Sequence, residues 1–129
     1  MIRAALFLAL SAAASAAPAP AFFKALHQVE TSGRHGAILG DNGAALGPLQ
    51  IHRAYHRDSG VAGDYSRCVD LSYSRQVVAA YLKRFAPKAW ANGDTTTLAR
   101  VHNGGPSGAQ KSATLAYAAR VKRAMGGKR

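Results

Sequence analysis

The chain has 129 residues, with 17 Lys and Arg against 6 Asp and Glu, giving a formal net charge of +11. That length accommodates one small domain, and the charge favours an anionic partner such as nucleic acid, a membrane surface or an acidic cell-wall polymer, the alternative being that it serves solubility alone. Cys68 is the only cysteine, which excludes an intramolecular disulfide and leaves the core alone to hold the fold.

Met1-Ile2-Arg3 carries one positive charge, residues 4–10 are apolar and residues 11–17 are small. This is the layout of a secretory leader with Ala14-Ser15-Ala16 as cleavage site, so residues 1–16 read as a signal peptide and 17–129 as one domain. The apolar run is too short to span a bilayer. Export makes nucleic acid the least suitable anionic partner, and no aromatic-basic platform supports one.

Phe22, Leu26 and Val29, with Phe23 and Ala25 beside them, recur at helical spacing and predict a helix from Ala21 to Thr31 that ends at Gly33. Glu30, the sole glutamate, falls in the last turn at the edge of the apolar stripe. A carboxylate there meets the negative end of the helix dipole, an unfavourable place for a merely structural side chain. Ala37-Ile38-Leu39 and Ala44-Ala45-Leu46 flank Gly40-Asp41-Asn42-Gly43. Asn-Gly between apolar runs predicts a hairpin within a small two- or three-stranded sheet, although Asp before Asn-Gly is also ordinary turn chemistry. Gly47-Pro48 closes the hairpin, and a short helix is expected to start over Gln50 to Tyr55.

A polar loop passes through Gly60 and Gly63, after which Asp70 caps a helix from Leu71 to Ala86, striped by Val77, Val78, Tyr81, Leu82 and Phe85 and stopped by Pro87. Asp94 or Thr95 opens a further helix through Leu98 and Val101 to Asn103-Gly104-Gly105-Pro106. Ser112 or Thr114 opens the last, with Leu115, Ala118, Val121 and Met125 on one face. The expected fold class is α+β, mostly helical, with one small β-hairpin and about five helices.

Several stretches carry a family likeness: Glu30-Thr31-Ser32-Gly33, Gly47-Pro48-Leu49-Gln50-Ile51, Tyr55, and Val78-Ala79-Ala80-Tyr81-Leu82-Lys83-Arg84-Phe85. The most specific is Ala99-Arg100-Val101-His102-Asn103-Gly104-Gly105-Pro106-Ser107-Gly108, followed by Thr114-Leu115-Ala116-Tyr117. In this order they resemble the invertebrate-type lysozymes, or destabilase family, of the lysozyme-like superfamily. The likeness covers nearly all of the expected domain. The chain departs from that family in its cysteines, since such lysozymes are usually dense with disulfides.

The resemblance implies a lysozyme-like fold and hydrolysis of the β-1,4 linkage between N-acetylmuramic acid and N-acetylglucosamine in peptidoglycan. It assigns Glu30 as general acid and Asp41 as nucleophile or cation stabiliser. A glycosidic oxygen leaves only if protonated, so one carboxyl has to carry a proton near neutral pH, a state that partial burial favours. The second has to stay ionised beside the oxocarbenium-like carbon, a scheme of which a lysozyme is itself the type case. Glycines, free backbone N–H groups and solvent around Asp41 suit the ionised role.

Candidate substrate contacts are Gln50, His52, Arg53, Tyr55, Tyr81, His102, Asn103, Gly104 and Gly105. His102 and Asn103 offer directional hydrogen bonds, and Gly104-Gly105 allows a sugar close to the backbone. Tyr55, Tyr81 and Tyr117 offer stacking faces, but each also fits a helix stripe, and for Tyr81 the core is the better reading. His52 and His56 stand four residues apart without a third ligand, so no metal and no cofactor are expected. The Ser-Lys isopeptidase activity of some family members is not implied, because Gly63-Asp64-Tyr65-Ser66-Arg67 contains no lysine. Two alternatives stay open: a lytic transglycosylase using Glu30 alone, and a non-catalytic cationic wall-binding or antibacterial protein. The expected product is a secreted or periplasmic monomer acting on peptidoglycan or another amino-sugar polymer of an anionic cell wall.

Overall fold

The computed structural model describes residues 17–126, and the expected signal peptide lies outside them. Helix α1 (Pro20–Thr31) opens with proline at its first positions, where a missing N–H is harmless and the fixed φ suits the helix. It closes as Ser32 turns left-handed and sends its N–H to the carbonyl of Gln28. Phe22, Ala25 and Leu26 form its buried face.

Three short antiparallel strands follow, β1 (Leu39–Gly40), β2 (Ala45–Leu46) and β3 (Ile51–His52), in the order β1-β2-β3. Leu39 pairs with Leu46, and Leu46 in turn with Ile51. The helix expected from Gln50 therefore starts later, as α2 (Arg53–Ser59). Gln50 sits at φ 52°, outside the right-handed helical region, and the next two residues are claimed by pairing with β2.

The polar loop contains an unexpected 3-10 turn over Tyr65–Val69, capped by the Asp64 carboxylate, which accepts the N–H of Ser66 at 2.8 Å. The turn buries Cys68 completely, and burial pushes its thiol up to about 11. Gly47 is required here, because a Cβ on it would stand 1.9 Å from the carbonyl oxygen of Cys68.

Helix α3 (Leu71–Phe85) is capped by Asp70, whose Oδ1 accepts the N–H of Tyr73 at 2.8 Å. It ends before Pro87 as expected: Ala86, the residue before proline, leaves the helical region at φ −141° and ψ 55°. The same proline then serves as the first residue of α4 (Pro87–Asn92), an element absent from the sequence reading. Helix α5 (Thr95–Gly104) is capped by Asp94, which accepts both the N–H and the hydroxyl of Thr97.

Two 3-10 turns, Gly108–Gln110 and Ser112–Thr114, lead to α6 (Leu115–Ala124). Its buried face is Tyr117, Ala118 and Val121, while Leu115 is 54% exposed. At 100° per residue Leu115 lies roughly a third of a turn off that face, so its expected place in the core is not realised. Helix α6 packs against both α5 and α1. Phe22, Leu26, Leu49, Val77, Leu82, Leu98 and Val121 fill the centre. The outcome is the mostly helical α+β fold read from the sequence, with six α-helices among the described residues. None of these helices is long and apolar enough to cross a membrane.

Candidate active site

Glu30 is presented by the last turn of α1, whose end is tied to the base of the hairpin by the Thr31 hydroxyl donating to the Pro48 carbonyl at 2.9 Å. Its side chain is only 18% exposed. The Tyr117 hydroxyl donates to its Oε1 at 2.6 Å, and Nε2 of His102 stands 3.5 Å from the same oxygen. Burial, and then the Glu30 charge, push Tyr117 far above the ordinary phenol range. The other ring nitrogen of His102, Nδ1, meets the Tyr55 hydroxyl at 2.8 Å. Tyr55 is raised well above its usual range by burial first, then by Tyr81 and Glu30.

Asp41 comes from the other wall. It follows β1 with φ 49°, and Asn42 follows at 57°, two consecutive left-handed residues of the kinds that tolerate that conformation. Gln50 fixes this turn from beneath: its side-chain amide donates to the carbonyls of Ile38 at 3.1 Å and Gly47 at 2.9 Å. Gly40 leaves room for that amide, since a Cβ would stand 1.9 Å from Oε1 of Gln50. The Asp41 carboxylate is 69% exposed and its Oδ2 pairs with Nε2 of His52 at 2.8 Å.

One cleft of about 200 Å³ is lined by Glu30, Asp41, Gln50, His52, Tyr55, His102, Asn103 and Gly105. Residues from α1, the hairpin, α2 and α5 thus converge on a single hollow. Three residues singled out from the sequence as substrate contacts stand elsewhere. Arg53 lays its guanidinium over the Tyr65 ring, 4.6 Å from the centroid. Tyr81 is buried and stacks on Tyr55 with centroids 3.7 Å apart, in agreement with a core reading and not with a sugar platform. Gly104 is directed at Thr114, where a Cβ would lie 2.6 Å from Cγ2, so its missing side chain serves helix packing.

His52 and His56 do not act together: His52 pairs with Asp41, and Nε2 of His56 meets the Tyr73 hydroxyl at 2.8 Å. Tyr117, considered from sequence as a stacking face or as part of a helix stripe, is the direct hydrogen-bond partner of Glu30. It lies 87 residues from Glu30, and only the docking of α6 against α1 joins them.

The Destabilase family profile matches residues 23–124. Lysozyme 1 of Crassostrea virginica is 37% identical over 83 residues, which are 63% of this chain and 45% of that protein. The match thus spans about half the length of that relative. Two solved structures superpose well. The Tapes japonica lysozyme has a TM-score of 0.71 at 30% identity, covering 83% of this chain and 93% of that one. The inhibitor-bound lysozyme from Meretrix lusoria has a TM-score of 0.73 at 27% identity, covering 86% and 96%. Matching sequence and fold lead to one conclusion: the chain belongs to the destabilase family, the invertebrate-type lysozymes.

Proposed function

We propose that the protein is a secreted glycoside hydrolase, a lysozyme that cleaves the β-1,4 bond between N-acetylmuramic acid and N-acetylglucosamine in peptidoglycan. The observation that carries this reading is the pair of carboxyls in one cleft with opposite surroundings. Glu30 is mostly enclosed and anchored by Tyr117, whereas Asp41 is solvated at the tip of a turn. Glu30 gives its proton to the glycosidic oxygen as that bond breaks. Asp41 meets the positive charge growing at the sugar carbon, as nucleophile or as stabilising anion. Water then adds to that carbon and returns a proton to Glu30.

Gln50, His52, Asn103 and Gly105 line the same cleft and are assigned to sugar binding. Residues 1–16 are assigned as the export signal, which predicts a secreted form starting at Ala17.

A second reading has one observation in its favour. Oδ2 of Asp41 is already engaged by His52, which would suit a lytic transglycosylase that closes an anhydro ring with Glu30 alone. Mass analysis of digested, purified peptidoglycan separates the two. The hydrolase reading predicts products with a reducing-end muramic acid, and loss of most activity in Asp41→Asn. A 1,6-anhydro product with an active Asp41→Asn overturns it.

A further inference from the structure

We infer that Tyr117, together with the His102–Tyr55 pair, holds Oε1 of Glu30 as a permanent hydrogen-bond acceptor, so that the catalytic proton resides on Oε2. The inference rests on Glu30 being the acid. It makes Tyr117, His102 and Tyr55 positioning residues rather than groups that touch the sugar.

The first arm is Tyr117. Its ring is buried and its hydroxyl lies 2.6 Å from Oε1. A phenol in that setting keeps its proton and donates it, whether the carboxyl opposite is ionised or not.

The second arm follows from counting partners. Among the described residues the Tyr55 hydroxyl has one hydrogen-bond partner, Nδ1 of His102. A phenol that keeps its proton and has a single acceptor donates to that acceptor. Nδ1 then bears the lone pair, and the neutral imidazole carries its hydrogen on Nε2, the nitrogen 3.5 Å from Oε1. That contact is too long for a good hydrogen bond, but it sets an N–H-bearing nitrogen beside the same oxygen.

One hydrogen-bond donor, the Tyr117 hydroxyl, and one nearby N–H, that of His102, therefore face Oε1. A proton placed there would collide with the Tyr117 hydroxyl hydrogen. On Oε2 it leaves both groups undisturbed, and Oε1 accepts from the hydroxyl as a carbonyl-type oxygen. The same network thus serves both protonation states, and the carboxyl need not rotate during the reaction. This matters because the terminal torsion of a glutamate is broad, and an unanchored acid spends time with its proton turned from the cleft. Holding it in place beforehand is the kind of preorganisation on which rate depends.

The test is Tyr117→Phe, which removes one oxygen and keeps the ring. On peptidoglycan fragments of defined length, kcat should fall about 10- to 100-fold while KM stays within about twofold. In a Glu30→Gln background the same change should cost nothing further. In wild type, nitrogen NMR of His102 should report the neutral tautomer protonated at Nε2, and Tyr55→Phe should shift it toward a mixture. An unimpaired Tyr117→Phe beside an inactive Glu30→Gln overturns the inference alone. So does a His102 protonated at Nδ1 in wild type, or a rise in KM without a fall in kcat. If Glu30→Gln stays active, the acid assignment falls and takes the inference with it.

Discussion

Tyr117 meets Glu30 across 87 residues of sequence, and nothing in its own surroundings announces the contact. Its place on the apolar stripe of α6 accounts for a buried ring but not for where the hydroxyl ends. Glu30 itself stands out in the sequence, because a lone glutamate at the carboxyl end of a helix meets the negative end of the helix dipole. Tyr81, Gly104 and Arg53 were candidate sugar contacts on residue type, with the core the better reading for Tyr81. Sequence spacing does not say whether a ring, a missing side chain or a cation faces the cleft or the layer behind it. Cys68, the only cysteine, is fully buried. Its thiol, held near 11 by burial against an ordinary value of 9.0, gives a pH prediction. Below pH 9 both folded and unfolded chains keep the proton, so Cys68 adds no pH dependence there. Between 9 and 11 the unfolded chain loses it first, and stability falls as pH rises. At pH 8 a thiol reagent should label the denatured protein readily and the native protein barely; equal rates would contradict the burial.

Among the elements, α1, α3, α5 and α6 were foreseen close to their bounds, since each couples an apolar stripe to a local stop or cap such as Asp70 or Asp94. The misses have local causes. Strand β3 is two residues long and exists through pairing with β2, which no periodicity reveals. Helix α4 begins at the proline that ends α3, and a proline marks both events alike. The hairpin turn was visible in Gly40-Asp41-Asn42-Gly43, but its support by the Gln50 amide was not. That support predicts a coupled effect. Gly40→Ala should displace Gln50, break its bonds to Ile38 and Gly47, and lower stability by about 1–3 kcal/mol. With Gln50→Ala already in place, adding Gly40→Ala should cost far less. Fully additive losses in thermal denaturation would show that the glycine serves some other contact.

On the scale of the whole molecule, packing of α6 against α1 and α5 brings Glu30 and Tyr117 together, while Thr31 locks the end of α1 to the hairpin that carries Asp41. The two carboxyls are thus held by separate supports around one cleft, with no disulfide in the chain to fix them. The net charge of +11 predicts a long-range attraction to an anionic wall, which should weaken as salt screens it. The proposed function therefore predicts that binding to the wall and cutting it are separable. The most direct measurement compares wild type and Glu30→Gln on purified peptidoglycan, recording sugar-bond cleavage and wall binding side by side. Cleavage should drop by about 100- to 10,000-fold, while binding and its decline with salt stay unchanged. Glu30→Gln cleaving at the wild-type rate would contradict the account at its centre.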